Sequence, residues 1–154
     1  MQNSKFPSLF EDKLIGVPES ERDTVGRQFS DIRAKQLALN PIKGDFDLKH
    51  LSEIHQHLFQ DSSTHAGVIR GFAMNKGSTL FADPLQMDYL FDKELPERIK
   101  ALAQSVNNKE KYVDGLADLH STLDLAHPFR EGNGRSTRIF ISQLAKEQGY
   151  DLDF

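Results

Sequence analysis

The sequence predicts a mainly α-helical domain, and two observations support that prediction. Most of the chain spaces its apolar residues three and four positions apart, which is typical of helices that bury one face. A pattern suited to a β-hairpin occurs in one stretch, residues 67–82. The chain has 154 residues, enough for one domain with a buried core, and no repeat or linker divides it. We therefore expect a bundle of about six helices with one β-hairpin.

The first part of the chain predicts two helices. Ser20 is a candidate N-cap for a helix over about residues 21–39, which Asn40-Pro41 ends because proline disfavours a helical residue before it. The residues expected on its inner face are Val25, Phe29, Ile32, Gln36 and Leu37. Asp47 is a candidate cap for the second helix. Its apolar stripe comprises Leu48, Leu51, Ile54, Leu58 and Phe59.

The later elements follow from turn and proline signals. Short runs that contain apolar residues flank Asn75-Lys76-Gly77-Ser78 and predict the hairpin. Pro84 suits the first turn of the next helix, and Pro96 is expected to kink or split that helix. Two further helices are predicted over about residues 111–126 and 135–148. Together these elements predict one globular unit.

Charge and composition narrow the classes of function. Nineteen Lys and Arg against 23 Asp and Glu give a net charge of −4, so no overall positive field attracts nucleic acid or an anionic membrane. The absence of Cys excludes disulfides, thiolate catalysis and Cys-ligated metal sites. The first residues do not resemble a signal peptide, and no apolar run reaches the ~20 residues of a membrane-spanning helix. We expect a cytoplasmic protein, or one delivered into a host cytosol, with no nucleic-acid or membrane partner.

The segment between the last two predicted helices, from His127 to Arg138, contains the residues best suited to chemistry. Gly132, Asn133 and Gly134 tolerate a positive φ, so the loop can turn its N–H groups to one side as an anion nest. The loop leads directly into a helix N-terminus, whose unpaired N–H groups and dipole also attract anions. This segment therefore predicts a phosphate site.

The charged side chains of the same segment extend that prediction. Arg135 and Arg138 lie three positions apart on one helix turn, so both guanidinium groups can reach one side and match phosphate oxygens. Glu131 places a carboxylate nearby, as Mg²⁺ bound to a phosphate chain prefers. His127 can exchange a proton near neutral pH. Together these residues predict phosphoryl or nucleotidyl transfer, although each of them taken singly also fits a plain turn between helices.

This segment resembles the signature of Fic-domain proteins, His-x-Phe-x-Asp/Glu-Gly-Asn-Gly-Arg-x-x-Arg. All eight specified positions match, and they are His127, Phe129, Glu131, Gly132, Asn133, Gly134, Arg135 and Arg138. The similarity extends upstream through residues 51–59, residues 66–70 and Lys76-Gly77. The resemblance implies the Fic fold, with residues 1–43 as an N-terminal lead-in and helix, residues 44–154 as the core domain, and the hairpin as a flap beside the active site.

The resemblance implies a protein adenylyltransferase, which moves AMP from ATP with Mg²⁺ to a Tyr, Thr or Ser hydroxyl of a target protein. It implies that His127 is the base that deprotonates this hydroxyl and that Glu131 holds Mg²⁺. Phe129 is expected to anchor the loop in the core, and Arg138 to bind the γ-phosphate. The implied nucleotide-binding residues are Gly132, Asn133, Gly134, Arg135, Ser136, Thr137, Arg138, Lys76 and Gly77.

Two protein partners are also implied by the resemblance. A segment of the target protein would pair with the flap, residues 68–82, by β-augmentation. Many Fic proteins are silenced by a Ser/Thr-x-x-x-Glu-Gly/Asn helix, whose glutamate pairs with the second arginine of the signature. No Ser or Thr of this chain has Glu four residues later. We therefore expect a small inhibitory protein, as in toxin–antitoxin pairs, to supply that glutamate to Arg138; a segment beyond Phe154 is the alternative source.

Several alternatives stay open at the level of sequence. They are Fic-type transfer of another phosphate-containing group, removal of AMP, and peptide binding without catalysis. Many relatives have Trp-Ala-Gly where this chain has His65-Ala66-Gly67, so the packing beneath the flap is expected to differ. His55 and His57 resemble a metal-binding pair, but positions two apart on a helix point about 200° apart around its axis. We expect one of these histidines to pack and the other to face solvent.

Overall fold

The computed structural model describes residues 9–154 and is mainly helical with one short hairpin, as the sequence predicts. A 3₁₀ turn over Leu9–Leu14 precedes helix α1. The other elements, in chain order, are α1 (Glu19–Leu39), α2 (Leu48–Phe59), β1 (Asn75–Lys76), β2 (Thr79–Leu80), a 3₁₀ turn (Pro84–Gln86), α3 (Met87–Tyr89), a π turn (Leu90–Glu94), α4 (Leu95–Gln104), α5 (Lys109–Ala126) and α6 (Asn133–Glu147). The split of the third predicted helix just before Pro96 is confirmed.

Asparagine and aspartate caps define two of the helix starts. The Asp47 carboxylate accepts from the N–H of His50 at 2.9 Å, which confirms the predicted cap of α2. The Asn108 side chain accepts from the N–H of Lys111 at 3.1 Å and caps α5. The Ser20 cap is wrong, because α1 already begins one residue earlier and has no side-chain cap.

The inner face that the sequence predicts for α1 is confirmed for Leu37, which is 2% exposed, and is wrong for most of the other predicted residues. Phe29 and Ile32 are 39% and 56% exposed. The residues that α1 buries are Gly26, Ser30 and Leu37. A Cβ added to Gly26 would lie 3.2 Å from Oε1 of Glu11, so the side chain of Glu11 in the preceding turn packs closely against this position. Gly26 and Ser30 are thus buried where other segments of the chain approach α1, whereas Leu37 belongs to the hydrophobic core.

The core is formed by α2, α5 and α6 together with the segment that contains α3 and α4. Its most deeply buried side chains on those three helices are Leu51, Ile54, Leu58, Tyr112, Leu119, Leu123, Phe140 and Ile141. Phe129, between α5 and α6, is 0% exposed and belongs to the same cluster. Burying a side chain of this size contributes about 1.5–3 kcal/mol. The loop between α5 and α6 is thereby anchored to the core at its centre, as expected.

The hairpin is shorter than the sequence predicts. Asn75 and Lys76 lie in β1, opposite Leu80 and Thr79 of β2, and the turn between them contains Gly77 with a φ of +60°. Residues 68–74 form no strand. All four strand residues are exposed.

No helix in residues 9–154 combines the length and the apolar character needed to span a membrane.

Candidate active site

The loop that joins α5 to α6, residues 127–132, is called the motif loop below. Its first residue, His127, has a left-handed backbone with φ of 45° and ψ of 60°, a conformation that costs a non-glycine residue roughly 1–2 kcal/mol. Its N–H donates to the Leu123 carbonyl at 3.0 Å, and its carbonyl accepts from Nε of Arg70 at 2.6 Å. Its imidazole stacks on the ring of Phe81, with centroids 3.7 Å apart. Contacts on both sides therefore fix this histidine.

The surroundings of His127 favour its neutral form. Burial is the main cause that lowers its pKa below the usual value. The nearby carbonyl and carboxylate of Asp124 oppose that shift, whereas the charges of Arg70 and Lys76 add to it. Among the described residues, no group forms a well-oriented hydrogen bond with the buried Nδ1 atom. If Nδ1 carries the proton of the neutral ring, Nε2 is the nitrogen that can accept another.

Phe129 and Asn133 fix the centre of the motif loop. The N–H of Phe129 donates to Oδ1 of Asn133 at 2.9 Å, and its carbonyl accepts from Nδ2 at 2.7 Å. Asn133 is itself buried. Its amide group is engaged at both atoms, so a contact between Asn133 and a phosphate would use its backbone N–H.

His55 holds the motif loop from α2. Its Nδ1 accepts from the N–H of Gly67 at 2.8 Å, so Nε2 carries the proton and donates to the carbonyl of Glu131 at 2.7 Å. Burial lowers the pKa of His55 to about 4, consistent with this neutral tautomer. His57 lies partly exposed on another side of α2 and contacts Oε1 of Gln36 at 3.0 Å. The prediction that the two histidines face different environments is confirmed.

Gly132 turns the chain into α6. Its φ is +78°, and an added Cβ would overlap the ring of Phe59 and lie 3.2 Å from Nε2 of His55. Gly132 alone among the three residues predicted to tolerate a positive φ adopts one. The first bond within α6 joins the N–H of Ser136 to the Gly132 carbonyl at 3.2 Å. The N–H groups of residues 133–135 therefore have no acceptor within the helix and form an anion-binding terminus.

The two arginines of the motif border one surface pocket of about 330 Å³ but differ in their partners. Arg135 forms an ion pair with Asp31 at 3.0 Å and hydrogen-bonds the hydroxyl of Ser30, both on α1. Arg138 is exposed, and its Nη1 lies 3.1 Å from the position that a Cβ of Gly134 would take. Its guanidinium group therefore reaches back over the N-terminus of α6. Both arginines thus line one pocket, with the guanidinium group of Arg135 tied to α1, and their joint binding of phosphate stays a prediction.

The remaining predicted nucleotide-binding residues lie in two places. Ser136 and Thr137 are buried, and the Ser136 hydroxyl donates to carbonyls of the preceding turn at 3.0 and 3.1 Å. Lys76 and Gly77 lie on the exposed hairpin, where the charge of Lys76 acts on the pKa of His127. The binding roles of these four residues stay predictions.

Glu131 is exposed and borders a cavity of about 190 Å³ that Gly132, Arg135, Glu11 and Asp23 also line. Burial, together with the charges of Asp23 and Glu131, raises the pKa of Glu11. Within residues 9–154, no group of three or more His, Asp or Glu side chains could hold an ion by itself. A cation at Glu131 would share its carboxylate with oxygens of a phosphate ligand, which is how Mg²⁺ is usually bound. The site fits Mg²⁺ in that form.

Sequence reasoning missed three side chains that shape the site. Arg70, which bonds to His127, was noticed as part of the resemblance but not for its contacts. An arginine directly after Val68-Ile69 at the base of a hairpin was the signal available for it. Ser30 and Asp31 gave no signal, because their contact with the motif joins residues more than 100 positions apart and depends on how the helices pack.

Comparisons with known proteins identify a family and a fold. A model of the Fic/DOC family matches residues 45–145. The protein adenylyltransferase VbhT of Bartonella schoenbuchensis is 34% identical over 146 residues, 92% of this chain and 30% of that protein. The probable protein adenylyltransferase y4lH of Sinorhizobium fredii is 31% identical over 140 residues, 88% of this chain and 69% of that protein. A crystal structure of BepC from Bartonella tribocorum with bound AMPPNP has a TM-score of 0.77 at 26% identity, covering 89% of this chain and 72% of that one.

The chain belongs to the Fic/DOC family. The family match and the similar solved structure confirm the resemblance and the Fic fold expected from the signature. This chain spans less than a third of the length of VbhT and about two thirds of the length of y4lH.

Proposed function

We propose that this chain transfers AMP from ATP to a hydroxyl side chain of a target protein. The observation that carries the proposal is the position of His127, whose lowered pKa favours the neutral form, on the same short loop as the open N-terminus of α6. The names of the relatives support AMP transfer, and the bound AMPPNP of the similar BepC structure supports a nucleotide at this fold.

The proposed reaction is a displacement at the α-phosphorus of ATP. The hydroxyl oxygen of the target forms a bond to this phosphorus, and the bond from the phosphorus to the oxygen that bridges to the β-phosphate breaks. Pyrophosphate leaves, and the proton of the hydroxyl passes to Nε2 of His127. Glu131, together with phosphate oxygens, would hold Mg²⁺, whose positive charge would offset the charge on the departing phosphates.

The chain itself contributes mainly position and fixed charge in this proposal. The N–H groups of residues 133–135 and the dipole of α6 hold the α- and β-phosphates. Arg138 binds the γ-phosphate, whereas Arg135 adds its charge from its position against Asp31. Lys76 and Gly77 border the nucleotide from the flap. Because these groups are in place before the nucleotide binds, little reorganisation is needed during the reaction.

The flap hairpin is the proposed docking edge for the target. The N–H of Phe81 donates to the Met74 carbonyl at 3.1 Å, so the adjacent pair, Asn75 and Leu80, directs its backbone groups away from the hairpin. An extended target segment can pair with this edge through its main chain. A small inhibitory protein that offers a glutamate to Arg138 is the second proposed partner. We propose that the protein acts in the cytoplasm, or in a host cytosol.

The proposal is tested with ATP radiolabelled on either the α- or the γ-phosphate, incubated with cell lysate and the purified chain. We expect protein bands labelled from the α-phosphate alone, dependent on Mg²⁺ and absent when His127→Ala replaces the wild type. Label from the γ-phosphate would contradict AMP transfer and indicate phosphorylation. Label from UTP or a phosphocholine donor instead would indicate another Fic-type transfer. Binding of proteins without any label would indicate a binding module.

A further inference from the structure

Arg70 is a buried cation that is satisfied by backbone carbonyls. Arg70 is 4% exposed. Burial lowers the pKa of its guanidinium group, and the negative charge of Asp83 opposes that shift. In the described part of the chain, no carboxylate forms an ion pair with it. Four of its N–H groups donate to carbonyl oxygens instead. A buried charge held in this way has a defined structural task, because burial is costly unless every group is paired.

The four carbonyls belong to two separate parts of the candidate site. Two of these carbonyls lie at the C-terminal end of α5. Nε of Arg70 donates to the His127 carbonyl at 2.6 Å, and Nη2 donates to the Ala126 carbonyl at 3.1 Å. A cation at these positions also interacts favourably with the negative end of the helix dipole. The other two flank the hairpin: Nη1 donates to Phe72 at 2.7 Å, and Nη2 donates to Ala82 at 2.5 Å. One planar guanidinium group thus joins both ends of the flap to the end of α5.

Two backbone hydrogen bonds also join the flap to the end of α5 and the motif loop. The N–H of Arg70 donates to the Pro128 carbonyl at 2.8 Å, and the N–H of Ala82 donates to Leu125 at 2.9 Å. His127 has the left-handed backbone described above, which persists only where neighbouring contacts determine it. Its ring stacks on Phe81 at an angle of 8°. The base of the proposed reaction and the base of the flap therefore form one unit, with Arg70 at its centre.

We propose that Arg70 is a positioning residue, which sets the place of His127 relative to the flap by binding the carbonyl of His127 and the carbonyls at both ends of the hairpin. The proposal rests on the proposed AMP transfer, in which the flap presents the target hydroxyl and His127 takes its proton. Lysine cannot replace this arginine, because an ammonium group lacks the planar fork that reaches separate acceptors in fixed directions.

The test compares Arg70→Lys with Arg33→Lys. Arg33 is a matched control, because its guanidinium group also forms two short bonds, at 2.7 and 2.8 Å to Asp61, but joins α1 to the loop after α2. For each variant we measure thermal unfolding, the Kd for ATP with Mg²⁺, and kcat for AMP transfer at a temperature at which the protein is folded. NMR spectra of the histidine ring protons report the stacking of His127 on Phe81 without requiring any activity.

We expect Arg70→Lys to lower kcat about 100-fold, as a misplacement of about 1 Å does, with the Kd for ATP unchanged within about two-fold. We also expect the His127 ring signals to lose the shift that stacking on Phe81 causes. Arg33→Lys is expected to lower the unfolding temperature with kcat within about two-fold of wild type.

Unchanged kcat in folded Arg70→Lys, or unchanged His127 signals, would overturn the positioning role. If Arg70→Lys does not fold, Arg70→Gln, which is smaller and neutral, replaces it in the same measurements. Failure of both variants to fold where Arg33→Lys folds would also overturn the proposal, since Arg70 would then serve the fold alone. A wild-type chain without AMP transfer that keeps the NMR result would contradict the proposed function and leave the positioning role intact.

Discussion

The motif loop and the flap hairpin border the same candidate site but are built in opposite ways. Side chains of Arg70, His55 and Asn133 hydrogen-bond the backbone of the motif loop, and Phe129 within the loop is fully buried. The hairpin has two residues in each strand, all of them exposed, and its strands pair only with each other in the described structure. The proposed reacting groups are thus fixed by contacts within the chain, while the proposed docking edge of the hairpin stays open.

The motif loop and the hairpin each contain one glycine with a positive φ, Gly132 and Gly77. Replacing each by alanine compares how tightly the two regions are packed. Gly132→Ala adds a Cβ that overlaps the ring of Phe59, so both backbone strain and a clash result. We expect it to lower the free energy of unfolding by about 4 kcal/mol. In Gly77→Ala the positive φ also strains the backbone, but no atom lies within 4 Å of the added Cβ. We expect this variant to lower the free energy of unfolding by about 1 kcal/mol. Urea denaturation measures both free energies of unfolding. Equal losses in the two variants would contradict the difference in packing between the motif loop and the hairpin.

The pH dependence of stability tests how His55 holds the motif loop. Its pKa is about 4 in the folded protein and near 6.5 in an unfolded chain. Between these values the unfolded chain binds a proton that the folded protein does not, so the free energy of unfolding falls as the pH falls. The shift corresponds to about 3 kcal/mol.

Urea denaturation between pH 7 and pH 4 is the measurement, with His55→Asn as the control that lacks this titration. The quantity compared is the change in free energy of unfolding across the range, rather than its absolute value. We expect the wild type to lose about 3 kcal/mol more than the variant across that range. Parallel curves for the two proteins would show that His55 is not the buried neutral base described above.

Glu131→Gln tests the Mg²⁺ site proposed near the end of the motif loop. The substitution keeps the shape of the side chain but removes the charge that attracts Mg²⁺, so at least about 10-fold more Mg²⁺ should be needed for half-maximal AMP transfer. Asp23→Asn is the control, because Asp23 lines the same cavity without belonging to the motif. An equal change in both variants would argue against a specific role for Glu131.

Leu80→Pro tests the open edge of the flap and has the smallest expected effect. Its N–H points away from the hairpin, and proline removes that donor. Loss of one hydrogen bond of about 1 kcal/mol should raise the KM for the target about five-fold, with the Kd for ATP unchanged. Leu80→Ala keeps the N–H and serves as the control. Equal effects of the two variants would indicate that the side chain, rather than the main chain, recognises the target.

Local signals in the sequence predict a large part of this structure. The Asp47 cap, the proline that splits the third helix and the amphipathic stripe of α2 all depend on neighbouring residues. Apart from Leu37, the buried face of α1 could not be predicted, because Gly26 and Ser30 are buried by distant segments rather than by their own hydrophobicity. The amphipathic pattern pointed instead to Phe29 and Ile32, which lie exposed.

The candidate site divides in the same way. Its signature residues are contiguous in sequence and were found from their order and spacing. The positions of their partners could not be predicted from the sequence. Arg70 and Asp31 contact the motif because of how the helices and the flap pack together. The use of the Asn133 amide to hold Phe129, rather than to face a ligand, likewise became visible only in three dimensions.

The most direct test of the proposed function compares ATP binding and AMP transfer in one protein, His127→Ala. Removing the imidazole takes away the proposed base but leaves the N-terminus of α6 and Arg138 in place. If His127 is the base, we expect His127→Ala to have a Kd for ATP within about two-fold of wild type and a rate of AMP transfer about 10²–10⁴-fold lower. Arg138→Ala should instead weaken ATP binding. AMP transfer by His127→Ala at a rate near that of wild type would contradict the account.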